Sequence, residues 1–234
     1  MAAIRRRARR YSAGFTLVEL MIVVVLISML AVIATPAMSV AHEDRIAFDS
    51  ARRIEQLIQR TQARPQGRGA AHLFVAAPAG TPSRGMFLMF EALDGTLVTD
   101  PIPGPNPVST CKGLNEWADV VTYLPGAVSS KANVIDGFTL DNPGINADMN
   151  LQTAFSVNGA VPVDAVVMCV QPGGKTFVGQ GATVAAAIID MQAQPNPFST
   201  FLEITVTRNK GGVPIGIQRR VLVAGGAAGR IKSQ

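Results

Sequence analysis

Between Gly14 and Pro36 the chain reads GFTLVELMIVVVLISMLAVIATP. This is an apolar run of helix-forming length with a single carboxylate, Glu19, near its start. As an α-helix, residues 15–35 extend about 31 Å at ~1.5 Å per residue, close to one hydrocarbon core thickness. A lone carboxylate at that depth costs on the order of 3 kcal/mol unless a partner answers it. Any fold built on this chain must cover a greasy helix and give Glu19 a reason to be there.

The flanks narrow the choice. Residues 1–13 contain Arg5, Arg6, Arg7, Arg9 and Arg10 and no acid. Basic flanks stay cytoplasmic, so the chain after the span is expected to face outward. A secretory signal has an apolar region of about 7–15 residues followed by a small-residue cleavage site. Here the run is longer, and Thr35-Pro36 makes no clean site of that kind. The small pair, Ala13-Gly14, precedes the run instead. A cut there removes only the charged leader and keeps the hydrophobic helix.

Gly14-Phe15-Thr16-Leu17-Val18-Glu19-Leu20 resembles the type III signal of type IV pilins and type II secretion pseudopilins. The resemblance implies that a prepilin peptidase/methyltransferase cuts between Gly14 and Phe15 and methylates the new Phe15 amine. It also implies that Glu19 serves assembly, offsetting the terminal amine of a neighbouring subunit, which gives the carboxylate its partner. Pro36 matches a proline that permits a kink in the pilin helix, since proline removes one backbone donor. The implied organisation is a leader at 1–14, a transmembrane and filament-core helix at 15–36, its amphipathic continuation at 37–64, and a β-rich head at 65–234. The implied partners are other pilin or pseudopilin subunits, the peptidase, an inner-membrane assembly platform, and membrane lipid before assembly.

Charge supports an exported structural chain. The formal charge of the 234 residues is +5, with 21 basic and 16 acidic side chains, and the leader alone holds five arginines. Without the leader, basic and acidic residues balance at 16 each. The high isoelectric point is thus a leader effect and little evidence for a nucleic-acid partner.

Along the chain, Ala47, Ala51, Ile54, Leu57, Ile58 and Thr61 recur at helical steps and form one apolar face. Arg45, Arg52, Arg53, Arg60 and Arg64 lie mostly away from it, and Pro65 and Gly67 are expected to end the helix. Strands are expected at 72–77, 86–93, 96–99 after an Asp94-Gly95 turn, 117–124 and 133–140. The stretches 101–107 and 141–150 read as loops. Residues 151–157 and 161–170 read as a hairpin about Asn158-Gly159. The apolar stretch 183–191 reads as a strand in preference to a short buried helix. Residues 201–208 and 213–223 form the clearest hairpin, with Leu202, Ile204 and Val206 alternating with Glu203, Thr205 and Thr207.

One long helix followed by many strands is an α+β order that resembles the pilin fold. The FSVNGA turn at 155–160 and the closing Gly229-Arg230-Ile231-Lys232 are most similar to H-type pseudopilins and T/U-type minor pilins (GspH/FimT). Heads of that kind carry two small antiparallel sheets against the helix. The same closing pattern resembles the basic C-terminal motif of minor pilins that bind DNA, making Arg219, Arg220, Arg230 and Lys232 candidate phosphate contacts. Against this stands ordinary surface charge on an edge hairpin.

Cys111 and Cys169 are the only cysteines. Outside the cytoplasm an even pair usually bridges. The alternative is a buried Cys169 thiol and an exposed Cys111. No H-E-x-x-H, paired-cysteine or G-x-S-x-G pattern is present, and His42 and His72 stand apart. Catalytic residues, metals and cofactors are accordingly not expected.

Overall fold

The computed structural model describes residues 16–77, 79–81, 83–92, 107–112, 117, 134–140, 149–159, 164–210, 213–225 and 231–233, without the side chains of 33–43 and of a few strand residues. The chain divides into two compact units, Met1–Glu43 and Asp44–Gln234. Helix α1, Leu17–Arg68, contributes to both.

In the first unit, the apolar side chains of 17–32 are exposed, from 45% at Val23 to 77% at Leu17. Among the described residues no helix is long and apolar enough to cross a membrane. The span expected at 15–36 runs past the stretch whose side chains are described, which ends at Val32. The helix itself passes through Pro36 without a break in its assignment.

In the second unit, α1 turns one face to the core. Ala47, Ala51, Ile54, Leu57, Ile58 and Thr61 are all buried, as their spacing predicts. The helix does not stop at Arg64 but runs one turn further, through Pro65 and Gly67. Gly69 closes it at φ 71°, with its N–H donating to the Pro65 carbonyl at 2.9 Å. A glycine in the left-handed region is what a helix C-terminus needs, and Gly67 does not adopt it.

Two antiparallel sheets follow. The first has the order β5-β4-β1-β7-β8, from β1 (His72–Ala76), β4 (Met86–Glu91), β5 (Val134–Thr139), β7 (Ala165–Val170) and β8 (Thr176–Gly181). The second has the order β11-β10-β9-β6, from β6 (Met149–Val157), β9 (Phe201–Lys210), β10 (Val213–Ala224) and β11 (Ile231–Ser233). A small ribbon pairs β2 (Ala79–Thr81) with β3 (Ser83–Arg84).

The three central strands of the first sheet are buried along their whole length. Their even and odd residues enter different cores. Phe74, Ala76, Val166 and Met168 join Ile54 and Ile58 of α1 and the inner face of the second sheet, Leu202, Ile204, Val206, Val221 and Val223. Leu73, Val75, Val167 and Cys169 join a second cluster with Trp117 and helix α2, Val184–Ala193. This is why these strands read as continuous apolar runs while β9 alternates cleanly. Phe87 ties the layers together, with Phe74, Phe138 and Phe155 at ring-centroid distances of 6.1, 5.3 and 6.2 Å.

Three further expectations are corrected. Residues 183–191 are not a strand: Thr183 caps α2 by accepting the Ala186 N–H at 3.2 Å. Its buried residues Val184, Ala187, Ile188 and Met191 follow helical spacing, and the run of alanines suits a helix better than a pleat. Residues 151–170 are not a hairpin. Asn158 and Gly159 have φ of 58° and 68°, yet β6 pairs with β9 and β7 pairs with β1 and β8, so the turn passes the chain between sheets. Trp117, the first residue of the expected 117–124 strand, is itself in a turn. The expected Asp94-Gly95 turn, strand 96–99, residues 118–124 and most of the loops 101–107 and 141–150 lie outside the described residues. The hairpin of β9 and β10 is as expected, with a register shift between Ile215 and Arg219.

Candidate functional site

The residues expected to serve processing and assembly stand at the start of α1. Gly14 and Phe15 lie outside the described residues. Thr16 precedes the first turn, and the Leu20 N–H donates to its carbonyl at 3.2 Å. The Glu19 N–H donates to Thr16 Oγ1 at 3.2 Å. In return Glu19 Oε2 accepts the Thr16 N–H at 3.3 Å and the Thr16 hydroxyl at 3.4 Å. This exchange is a capping box, in which a threonine and a glutamate three residues apart satisfy each other's backbone donors. Sequence reasoning passed over Thr16, although its signal was present: T-x-x-E at the head of an apolar run.

The capping box gives Glu19 a partner within its own chain. The donor is the amide of Thr16, not of Phe15, so a cut between Gly14 and Phe15 leaves the box intact. A carboxylate has acceptor capacity for more than these donors. The negative charge also sits where the helix dipole favours it. Beyond Glu19 the helix presents apolar side chains all round, and Ser28 folds its hydroxyl back onto the Val24 carbonyl at 2.8 Å. The chemistry available here is association of apolar surfaces beside one anchored carboxylate.

Cys111 and Cys169 form a disulfide, with Cα atoms 5.9 Å apart across 58 residues of sequence. It ties the 107–112 strap to the second core. The strap is also held by Val108, whose carbonyl accepts the Ala71 N–H at 2.7 Å and whose N–H donates to Ala92 at 3.0 Å.

The two candidate phosphate contacts whose side chains are described, Arg219 and Arg220, do not share one surface. Arg219 pairs with Val206 and Arg220 with Thr205, so the two arginines point to opposite faces of β10. Arg219 places its guanidinium over the Phe48 ring at 5.5 Å, beside Arg52 at 4.8 Å. Arg220 pairs with Glu203 at 3.4 Å. Arg208, on the neighbouring strand β9, is buried and paired with Asp44 at 3.1 Å. Lys232 lies on β11 opposite Leu222, and Arg230 lies outside the described residues.

Of the histidines, His42 falls in α1 with its side chain outside the description, and His72 is fully buried at the start of β1. Its Nδ1 lies 3.1 Å from the Ala70 carbonyl. Burial pushes its pKa below the ordinary histidine value, opposed by that carbonyl and by the nearby Glu91 carboxylate. Among the described residues no group of three His, Cys, Asp or Glu is placed to hold a metal.

No match was found among curated proteins or among solved structures. Residues 9–35 match the family model described as the prokaryotic N-terminal methylation motif, which supports a type IV pilin-like protein processed at its N-terminus.

Proposed function

We propose that this chain is a structural subunit, a minor pilin or pseudopilin, of a type IV pilus or a type II secretion pseudopilus. It is made as a precursor, held in the inner membrane by residues 15–36, cut between Gly14 and Phe15, methylated at Phe15 and drawn into a filament. The observation that carries this reading is the methylation motif at 9–35 running into an exposed apolar helix whose first turn is closed by Glu19. An apolar surface of that extent needs lipid or other helices around it. Head-to-tail packing of such helices yields an open filament wherever the rotation between copies does not close into a ring. The head at 65–234 has the α+β organisation that suits this role.

The test uses the full chain in its own host. Gly14→Val is expected to leave the protein at precursor mass, with none in sheared filaments or pseudopili. Glu19→Ala is expected to mature normally and to fall at least tenfold in the filament fraction. If both variants mature and assemble like the wild type, the proposal is wrong.

A further inference from the structure

The filament reading makes no use of a cleft where the edges of the two sheets meet. β8 is an edge of the five-stranded sheet and β6 an edge of the four-stranded one. A cavity of about 320 Å³ opens there, walled by the end of β6, by β8 at Val178 and Gln180, by Asp190 of α2 and the Gln194 that caps it, and by the segment 195–200.

In an antiparallel strand, alternate residues turn both N–H and C=O to the same side. The Thr176 carbonyl accepts the Phe198 N–H at 2.6 Å, and the Gln180 N–H donates to Asp190 Oδ2 at 2.9 Å. Both bonds leave β8 on the side away from β7. Val178, the residue between them in this alternation, therefore turns its own N–H and C=O to the same side, where it lines the cavity. No hydrogen bond to that pair is found among the described residues. On the facing wall, the Asn158 N–H donates to Phe201 toward β9 at 3.0 Å, so Val157 beside it turns its peptide groups outward. Among the described residues, the edge is bonded at Thr176 and Gln180 and carries no such bond at Val178 between them.

Side chains set the ligand class. The wall carries the amides of Asn158, Gln180, Gln194 and Asn196 and the hydroxyls of Ser199 and Thr200. Asp190 is its one charged residue, with the Gln194 amide donating to its other oxygen at 3.4 Å. Gln180 Oε1 is buried without a hydrogen-bond partner. A negative wall without lysine or arginine disfavours phosphate and other anions. A wall this polar disfavours a purely apolar guest, whose binding strands donors and acceptors. Amides, hydroxyls and a carboxylate match a guest whose every hydroxyl both donates and accepts. Pro195, Pro197 and Phe198 add apolar surface for its C–H face.

We propose that this cleft, between the open edge of β8 at Val178 and the 195–200 segment, binds a neutral saccharide unit. Its volume lies at the lower end of small-ligand sites, about 300–1,000 Å³, enough for one or two sugar rings. This reading is independent of filament assembly, since processing and assembly can fail with the cleft intact.

The experiment is saturation-transfer NMR on the processed full chain in a detergent without a sugar headgroup. The probes are glucose, galactose, N-acetylglucosamine and lactose, with sialic acid and a neutral capped tripeptide as comparators. At least one neutral sugar is expected to bind saturably with a dissociation constant of about 1 mM or tighter, and sialic acid is not. Asn196→Ala and Ser199→Trp, both at exposed positions, are expected to weaken that binding at least tenfold at an unchanged thermal midpoint. Should Ser199→Trp misfold, Asn196→Ala reads the site alone. The proposal is overturned if no neutral sugar binds, if binding persists undiminished in a folded variant, or if the tripeptide binds and the sugars do not.

Discussion

His72 sits in an environment at odds with its chemistry. It is fully buried, faces Glu91 across the β1–β4 pair, and lies under the last turns of α1 with Arg64 and Arg68 nearby. Glu91 is engaged by Arg68 at 3.0 Å, and His72 Nε2 has no hydrogen-bond partner. Burial dominates and holds the imidazole neutral below its ordinary pKa. In the unfolded chain it titrates near 6.5. Below that pH the unfolded state takes up a proton that the folded state refuses, so stability is full above about 6.5 and falls as pH drops toward the folded value. Chemical denaturation midpoints are expected to fall between pH 7.5 and 5 in the wild type, and to fall less in His72→Gln. Equal slopes would assign the acid sensitivity elsewhere. The sequence marked His72 only as a strand start, because burial of one ring is a property of the layers above and below it.

At the scale of elements, the tightest fit is α2 on β8. A Cβ at Gly179 would come within 2.0 Å of the Ala187 carbonyl oxygen and 2.4 Å of the Met191 nitrogen. Backbone meets backbone there, and neither side can yield by a rotamer change. Gly179→Ala is therefore expected to cost about 3 kcal/mol or more, by lifting α2 from the second core. Gly67, in the last turn of α1, has open space around its Cα. Gly67→Ala is expected to be neutral or to stabilise by roughly 0.5–1 kcal/mol, through helix propensity alone. Urea unfolding of both variants separates the two kinds of glycine. The same pair shows the limit of local reading. The α2 segment carries a threonine cap and helical spacing, yet its apolar content also suits a strand, and the choice depends on the glycine-lined groove that receives it.

Across the whole molecule, order comes from contacts made far apart in sequence. β1 takes β4 on one side and β7, some ninety positions later, on the other. The disulfide crosses 58 residues and fastens the 107–112 strap over the second core. Restricting the unfolded chain to that extent contributes about 4 kcal/mol in the chain-entropy account. Cys111→Ala with Cys169→Ala is expected to lower the denaturation midpoint by most of that amount, and reductant to have no further effect on the double variant. An unchanged midpoint would mean that the strap is held by its backbone hydrogen bonds alone. Both cysteines are buried to 1% exposure or less, so reduction of the native protein is expected to be slow without denaturant.

Local signals alone determined the N-terminal helix, its methylation motif, the buried face from Ala47 to Thr61, and the β9–β10 hairpin. Each depends on side-chain period or on residues within one turn of each other, and neither needs a distant partner. The Thr16–Glu19 cap belongs with them. Tertiary structure alone decided that Asn158-Gly159 joins two sheets and not two strands, and that neighbouring Arg219 and Arg220 part to opposite faces. It also decided that Arg208 is buried against Asp44, and that a polar cleft forms between two sheet edges. In each of these the sequence permits more than one arrangement, and the one adopted is whichever lets two apolar faces of a single sheet be covered at once.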